Sequence, residues 1–90
     1  MEYQTPSKSG FTIYTKTGCT YCDKVKLFLT DSGYEYTTIL CDDVLKSNKI
    51  GFLEFIESIS GVAYNTFPMV FHNGDFVGGY NDTVKFCAFQ

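Results

Sequence analysis

The sequence predicts an α/β domain in which about three helices pack on a four-stranded mixed sheet. Segments rich in β-branched and aromatic residues alternate with segments whose apolar residues recur at helical spacing, in the order β-α-β-α-β-β-α. A helical crossover between the first two strands makes them parallel neighbours, and a tight turn makes the last two an antiparallel hairpin. The chain has 90 residues, which is enough for one such domain.

The first half of the chain predicts a strand, a helix and a second strand. Residues 11–16, FTIYTK, are typical of a strand, and TGCT then breaks the pattern. A helix is predicted from Thr20, where Thr20 and Asp23 indicate a capping box and Gly33 indicates the stop. Residues 34–41, YEYTTILC, predict the second strand.

The middle of the chain predicts a loop and a second helix. Residues 42–48 are polar and predict a solvated loop. Residues 61–66, GVAYNT, predict another loop. Between them, from about Lys49 to Ser60, apolar residues fall on one helical face and are predicted to be core side chains: Phe52, Phe55, Ile56 and Ile59.

The last part of the chain predicts the hairpin and a closing helix. Residues 68–73, PMVFHN, predict the third strand, NGD the turn, and FVGG at 76–79 the fourth strand. Residues 80–89 predict a short helix, for which Asn81 or Asp82 is the expected N-cap.

Composition and charge exclude several classes of protein. The chain has seven lysines, no arginine and a net charge of −3, so it lacks the basic patch of a nucleic-acid-binding surface. No apolar run approaches the roughly 18 residues that would span a membrane. Residues 1–10 are polar, lack the apolar segment of a signal peptide, and are predicted to form a mobile leader before a domain at 11–90. The sequence therefore predicts a cytoplasmic protein, which we expect to be a monomer.

The stretch KTGCTYC, residues 16–22, places two cysteines three residues apart behind a lysine. Such a pair is half of a zinc site, a structural disulfide or a redox pair. A structural zinc site needs a second close pair, whereas Cys41, His72 and Cys87 are single residues on different predicted elements. A reducing compartment and so short a loop disfavour a structural disulfide. The pattern therefore favours a redox pair and predicts no metal site.

The two cysteines are predicted to have different roles. Cys19 falls at a strand-to-helix turn, where backbone N–H groups and the positive end of the helix dipole favour an anion. Lys16 adds a nearby cation, and such settings lower the pKa of a cysteine from about 8.5 to about 3.5–7.5. Cys22 lies one turn into the helix, farther from those donors. We therefore predict that Cys19 is the nucleophile and Cys22 the resolving thiol.

The remaining candidate residues favour structural roles. Free cysteine is among the most buried residue types, so Cys41 and Cys87 are predicted to be small core side chains. His72 has no partner motif near it and is predicted to be a surface histidine.

The motifs taken together resemble the glutaredoxin family. The resemblance covers residues 11–89: a strand, Lys-x-x-Cys-x-Tyr-Cys opening a helix, TFP before a strand, and NGDFVGGYND. It implies the thioredoxin-like fold and glutathione-dependent thiol–disulfide exchange. By position, Cys19 matches the attacking cysteine of the family and Cys22 the second one. The implied partners are glutathione and disulfide-containing or glutathionylated proteins, with ribonucleotide reductase as one candidate.

The resemblance also implies a set of glutathione-binding residues. Tyr21 matches the aromatic residue that lines the glutathione groove, and Lys16 matches the residue that approaches the glycine carboxylate. Pro68 matches a cis-proline that faces the thiols, and Phe67 the residue whose backbone pairs with the cysteinyl unit of glutathione. The γ-glutamyl end is assigned to four consecutive residues: Gly79, Tyr80, Asn81 and Asp82.

Two departures from the family pattern leave alternatives open. Thr20 stands where proline is usual, and a small polar residue there occurs in relatives that hold a [2Fe–2S] cluster between two subunits, with glutathione as co-ligand. In that alternative Cys19 is the iron ligand. Asn65 stands where an arginine often precedes the Thr-x-Pro element. The lack of arginine leaves open a glutathione-independent, thioredoxin-like electron carrier that is served by a flavoprotein reductase.

Overall fold

The predicted order of elements is confirmed in a computed structural model, which describes residues 3–89. Residues 1 and 2 of the predicted leader, and residue 90 of the predicted domain, lie outside the described residues. Within that range, no helix is both long and apolar enough to cross a membrane. The elements follow in chain order: β1 (Phe11–Thr15), α1 (Thr20–Asp31), β2 (Tyr36–Leu40), α2 (Asp42–Ser60), β3 (Met69–His72), β4 (Asp75–Gly78) and α3 (Tyr80–Ala88).

The four strands form one mixed sheet in the order β2-β1-β3-β4. As predicted, β1 and β2 are parallel and β3 and β4 are antiparallel, while β1 also pairs with β3 in the antiparallel sense. The turn of the hairpin places Asn73 at φ 52° and Gly74 at φ 87°, the left-handed geometry that a tight two-residue hairpin turn requires. β1 is one of the two inner strands, beside β3, and all five of its residues are buried.

Side chains alternate across β1 and enter two hydrophobic clusters. Tyr14 belongs to a cluster on the α2 face, together with Phe52, Ile56 and Phe71. Ile13 belongs to a cluster on the face of α1 and α3. Phe55 and Ile59 pack partly buried against the α2-side cluster, so the predicted apolar face of that helix is confirmed.

The N-caps of α1 and α3 differ from those predicted. Cys19, not Thr20, is the N-cap of α1, because its sulfur accepts the N–H of Cys22 at 3.1 Å. Gly79, not Asn81 or Asp82, is the N-cap of α3. Asp82 instead reaches back from the third helical position, where its Oδ2 accepts the N–H of Gly79 at 3.1 Å.

The prediction of a loop at residues 42–48 was wrong, because α2 begins at Asp42. The first turn carries two acidic side chains, which the positive end of the helix dipole favours. Val44 and Leu45 pack against the α2-side cluster, so this turn also buries apolar surface. The backbone leaves helical geometry at Asn48, with φ −160° and ψ 68°, and the predicted helix corresponds to the part of α2 after this kink.

Residues 3–10 lie along the domain, while the predicted mobility of the leader stays a prediction. The ring of Tyr3 stacks on Phe55, with centroids 5.1 Å apart, and meets Phe52 edge-on at 5.9 Å. The buried hydroxyl of Tyr14 donates to the carbonyl oxygen of Gln4 at 2.6 Å. These contacts place the segment against the α2-side cluster.

His72 is half-buried, so the prediction of a surface histidine was wrong. Its ring centroid lies 4.6 Å from that of Phe11 and 5.0 Å from that of Phe86. Two aromatic neighbours on the α1 and α3 face of the sheet therefore cover a side chain whose local sequence indicated an exposed strand end.

Candidate active site

Cys19 and Cys22 form a disulfide at the start of α1. Their Cα atoms are 5.2 Å apart, within the range over which a disulfide forms without large backbone movement. Cys19 sits at the N-cap, next to the unpaired N–H groups of the first helical turn. A thiolate released at Cys19 would therefore meet backbone donors and the positive end of the helix dipole.

The two sulfur-bearing residues differ in access. Cys19 keeps 8% of its surface exposed, whereas Cys22 keeps 0%. Thiol exchange depends on which sulfur an incoming thiol can reach. The difference in exposure therefore supports attack at Cys19 and a second, internal role for Cys22.

The loop before Cys19 is tied to the start of α2. The N–H of Thr17 donates to Oδ1 of Asp42 at 2.9 Å, and the hydroxyl of Thr17 donates to Oδ2. These two hydrogen bonds hold the pKa of Asp42 below its usual value, and the bond from the Thr17 hydroxyl has the larger effect. The sequence analysis missed this role for Asp42, because the two residues are 25 positions apart and no local pattern joins them.

Two lysines lie over the aromatic rings of two predicted glutathione-binding residues, Phe67 and Tyr21. Nζ of Lys16 is 5.4 Å from the ring centroid of Phe67. Nζ of Lys24 is 4.9 Å from the ring centroid of Tyr21. Lys24 was not among the predicted site residues, although its position three residues after Tyr21 on a helix is the spacing that brings two side chains together.

A cavity of about 260 Å³ adjoins the disulfide through Tyr21. The Phe67–Pro68 peptide bond on its wall is cis, as the resemblance implied. A larger cavity of about 500 Å³ lies instead beside the start of β1 and β2, at the end of β1 away from Cys19. Seven of the eight predicted glutathione-binding residues line the cavity near the disulfide, and the exception is Lys16. The complete lining is Tyr21, Tyr64, Thr66, Phe67, Pro68, Gly79, Tyr80, Asn81 and Asp82. We call this cavity the groove.

Tyr64 is a groove residue that the sequence analysis missed. Its ring packs edge-on against Phe76, with centroids 4.9 Å apart. A Cβ atom built on Gly79 would lie 2.7 Å from the Tyr64 hydroxyl oxygen, closer than real Cβ atoms come to such a neighbour. Glycine at position 79 therefore leaves room for Tyr64 at the α3 end of the groove. Tyr64 lies in a loop, where spacing carries no signal for a binding residue.

The start of α3 forms one end of the groove. Gly79 is buried, and its N–H is held by the Asp82 carboxylate. Asn81 and Asp82 are exposed. The end thus combines helix N–H groups, which favour an anion, with one carboxylate, which favours a cation.

The two remaining cysteines lie outside this chemistry. Cys41 is buried as the N-cap of α2, and burial raises its pKa to about 12. Cys87 is half-buried in α3, and burial raises its pKa as well. Because the thiolate is the nucleophile, both thiols are poor ones at neutral pH. Across residues 3–89, no group of three or more His, Cys, Asp and Glu residues is placed to hold a metal ion.

Comparison with known proteins identifies the family of the chain. The family model described as Glutaredoxin matches residues 11–77. Glutaredoxin-2, mitochondrial, from Mus musculus is 31% identical over 80 residues, which make up 89% of this chain and 49% of that protein. The chain thus spans about half the length of this curated relative.

Solved structures share the same architecture. The holo form of glutaredoxin C1 from Populus tremula x tremuloides is 26% identical with a TM-score of 0.71, over 93% of this chain and 79% of that one. The buckwheat glutaredoxin–glutathione complex is 25% identical with a TM-score of 0.72, over 92% of this chain and 72% of that one. The predicted thioredoxin-like fold is therefore confirmed. With a Cys-x-x-Cys disulfide at the head of α1 and a family match over residues 11–77, the chain belongs to the glutaredoxin family.

Proposed function

We propose that this protein is a glutathione-dependent thiol–disulfide oxidoreductase that reduces protein disulfides and glutathione mixed disulfides. The observation that carries the proposal is that the redox pair adjoins the groove through a shared residue, Tyr21. Tyr21 lies between Cys19 and Cys22 in the sequence and also lines the groove, so a ligand held in the groove would lie close to Cys19, the more exposed of the two cysteines. The cytoplasmic location, the monomeric state, the domain at 11–90 and ribonucleotide reductase as a substrate stay predictions.

The groove suits the chemistry of glutathione. Glutathione is an extended, tripeptide-like anion with a carboxylate at each end and one ammonium group. Lys16, over the ring of Phe67, supplies a cation near one side of the groove. At another side of the groove, the N-terminus of α3 supplies N–H donors and the carboxylate of Asp82 supplies an anion. The buckwheat relative, a structure of which is a complex with glutathione, adds support by analogy.

The reaction begins with attack by the Cys19 thiolate on a disulfide sulfur of the substrate. One S–S bond breaks, a mixed disulfide with Cys19 forms, and the leaving sulfur takes up a proton. With a glutathionylated protein, Cys19 receives the glutathionyl group and the protein thiol leaves. A second glutathione then attacks that glutathionyl sulfur, so that glutathione disulfide leaves and the Cys19 thiolate is restored.

A protein disulfide follows a second route that needs Cys22. After Cys19 has formed a mixed disulfide with the protein, the Cys22 sulfur attacks Cys19 and the reduced protein leaves. The product is the Cys19–Cys22 disulfide present in this structure. Two molecules of glutathione supply the two electrons that reduce it, and they leave as glutathione disulfide.

The proposal is tested by supplying reductants one at a time. We expect turnover of a glutathionylated peptide with glutathione, glutathione reductase and NADPH, and little turnover when a flavoprotein thioredoxin reductase replaces glutathione and its reductase. The reverse pattern would overturn glutathione dependence. It would favour the alternative of a thioredoxin-like carrier, for which the lack of arginine in the chain is the motivating observation.

A [2Fe–2S] role is the second alternative, and its motivating observation is Thr20 as the first residue of α1, after the Cys19 N-cap. The described residues of one chain supply no set of three ligands, so they do not fit a cluster on their own. The alternative needs Cys19 from two copies and glutathione as co-ligand. Anaerobic reconstitution with iron, sulfide and glutathione would then give a coloured dimer, in lower yield with Thr20→Pro. A colourless monomer would rule the alternative out.

A further inference from the structure

The hydroxyl of Thr15 is a buried polar group whose oxygen has no hydrogen-bond partner within residues 3–89. Thr15 is 4% exposed and is the last residue of β1, four positions before Cys19. Nearly all buried polar side-chain atoms in folded proteins are hydrogen-bonded, because an unpaired one costs free energy. A buried hydroxyl without a partner, on a strand that ends four residues before a redox pair, therefore calls for a functional explanation.

Alternation along β1 and periodicity along α1 place Thr15 and Cys22 on facing surfaces. Thr15 shares the sheet face of Ile13, which packs with Val25 and Leu29 of α1. Cys22 is three residues before Val25, so it lies on the same, sheet-facing side of α1 and is 0% exposed. The side chains of both residues thus face the space between the last residue of β1 and the first turn of α1.

We propose that the Thr15 hydroxyl donates a hydrogen bond to Sγ of Cys22 when the disulfide is reduced. In the disulfide form, Sγ of Cys22 is bonded to Sγ of Cys19, and the Thr15 hydroxyl is unpaired. Reduction by a dithiol breaks this bond. Two electrons come from the dithiol, which becomes a disulfide, and its two protons are available to the cysteine sulfurs. The freed sulfur of Cys22 is a stronger acceptor, above all as a thiolate.

Two consequences follow for the redox pair. The hydroxyl is satisfied only in the dithiol form, so Thr15 shifts the thiol–disulfide equilibrium towards that form. A hydrogen bond to the charged form of a group also favours that form. Thr15 therefore raises the thiolate fraction of Cys22 when it resolves a mixed disulfide on Cys19. The inference rests on the proposed function only in that the pair cycles between disulfide and dithiol.

The test compares three variants at equilibrium with reduced and oxidised dithiothreitol. Thr15→Val keeps the β-branched shape without the hydroxyl, and Thr15→Ser keeps the hydroxyl. Thr12→Val is the matched control, because Thr12 is also buried in β1 but lies on its opposite face, where it accepts the N–H of Ser7 at 3.0 Å. We expect Thr15→Val to shift the equilibrium about tenfold towards the disulfide, or about 30 mV. Thr15→Ser and Thr12→Val should stay within about twofold of wild type.

Unfolding of the oxidised and reduced forms separates this role from a purely structural one. We expect Thr15→Val to be at least as stable as wild type when oxidised and less stable than wild type when reduced. Equal changes in both forms, with an unshifted dithiothreitol equilibrium, would overturn the proposal. An equal equilibrium shift in Thr15→Ser or Thr12→Val would overturn it too. If Thr15→Val does not fold, Thr15→Ala against Thr15→Ser gives the same comparison.

Because dithiothreitol replaces glutathione in these measurements, they separate this inference from the proposed function. Failure of glutathione turnover leaves the expected Thr15→Val shift in place. Conversely, glutathione turnover with no effect of Thr15→Val on the equilibrium overturns the role of Thr15 alone.

Discussion

Asp42, the first residue of α2, accepts two hydrogen bonds from Thr17 in the loop that presents Cys19. The Thr17 N–H donates to Oδ1 at 2.9 Å, and the Thr17 hydroxyl donates to Oδ2. Cys19, the predicted attacking cysteine, is the N-cap of α1 on one face of the sheet, whereas α2 packs on the other face. The Asp42 carboxylate thus fixes the active-site loop to an element that carries none of the predicted site residues.

We expect Asp42→Ala to destabilise the protein in a pH-dependent way. The bonds from Thr17 hold the pKa of Asp42 below its unfolded value of about 3.9. Their contribution is therefore present above about pH 4 and is lost as the pH falls through the lower folded-state pKa. Urea unfolding should show the largest gap between wild type and Asp42→Ala at neutral pH, and a shrinking gap below about pH 4.

The matched control for that measurement is Asp43→Ala. Asp43 is exposed and shares the first turn of α2, so its removal also loses the favourable interaction with the helix dipole. An equal loss of stability in Asp42→Ala and Asp43→Ala at neutral pH would mean that the dipole, and not Thr17, accounts for the effect.

Cys19 should be the most reactive thiol of the reduced protein, because the start of α1 and Lys16 both favour its thiolate. We expect the pH dependence of its alkylation rate to show a midpoint well below about pH 8.5, which is the pKa of a free cysteine. Lys16→Gln should raise that midpoint by up to about one unit, or about 1.4 kcal/mol. Lys8→Gln, an exposed change before the start of β1, is the control and should leave it unchanged. A wild-type midpoint at or above 8.5 would refute the activation of Cys19.

Gly79→Ala should disturb the groove through Tyr64. The added Cβ would lie 2.7 Å from the Tyr64 hydroxyl oxygen, so the Tyr64 side chain must shift, and an off-rotamer shift of this kind costs about 0.5–1.5 kcal/mol. We expect lower stability in urea and a several-fold higher KM for glutathione. Tyr64→Phe removes the clashing oxygen, so Gly79→Ala should cost less in a Tyr64→Phe background. Strictly additive effects of the two changes would show that they do not meet at this contact.

The local patterns of the sequence were sufficient to predict most of the fold. Alternating strands, the NGD turn and the apolar face around Phe52 each depend on a few neighbouring residues, and all were confirmed. The start of α2 was missed because its evidence is tertiary. The polar residues after Cys41 become helical because Val44 and Leu45 reach the core, which the local sequence does not reveal.

The candidate site shows the same division between local and long-range information. The Cys19–Cys22 redox pair follows from one short motif, and the resemblance supplied seven of the nine groove residues, all but Tyr64 and Thr66. Asp42, Tyr64 and Lys24 were missed. Asp42 meets Thr17 across 25 positions, and Tyr64 meets Gly79 from a loop, so neither contact has a sequence period.

The central claim is that Cys19 attacks and that a second glutathione can replace Cys22 in the final step. The most direct measurement compares Cys22→Ser and Cys19→Ser on a glutathionylated peptide and on a protein disulfide, each with glutathione and glutathione reductase. We expect Cys22→Ser to keep much of the deglutathionylation and lose most reduction of the protein disulfide, while Cys19→Ser loses both. If Cys22→Ser abolishes deglutathionylation as completely as Cys19→Ser does, the claim is contradicted in favour of a thioredoxin-like dithiol carrier.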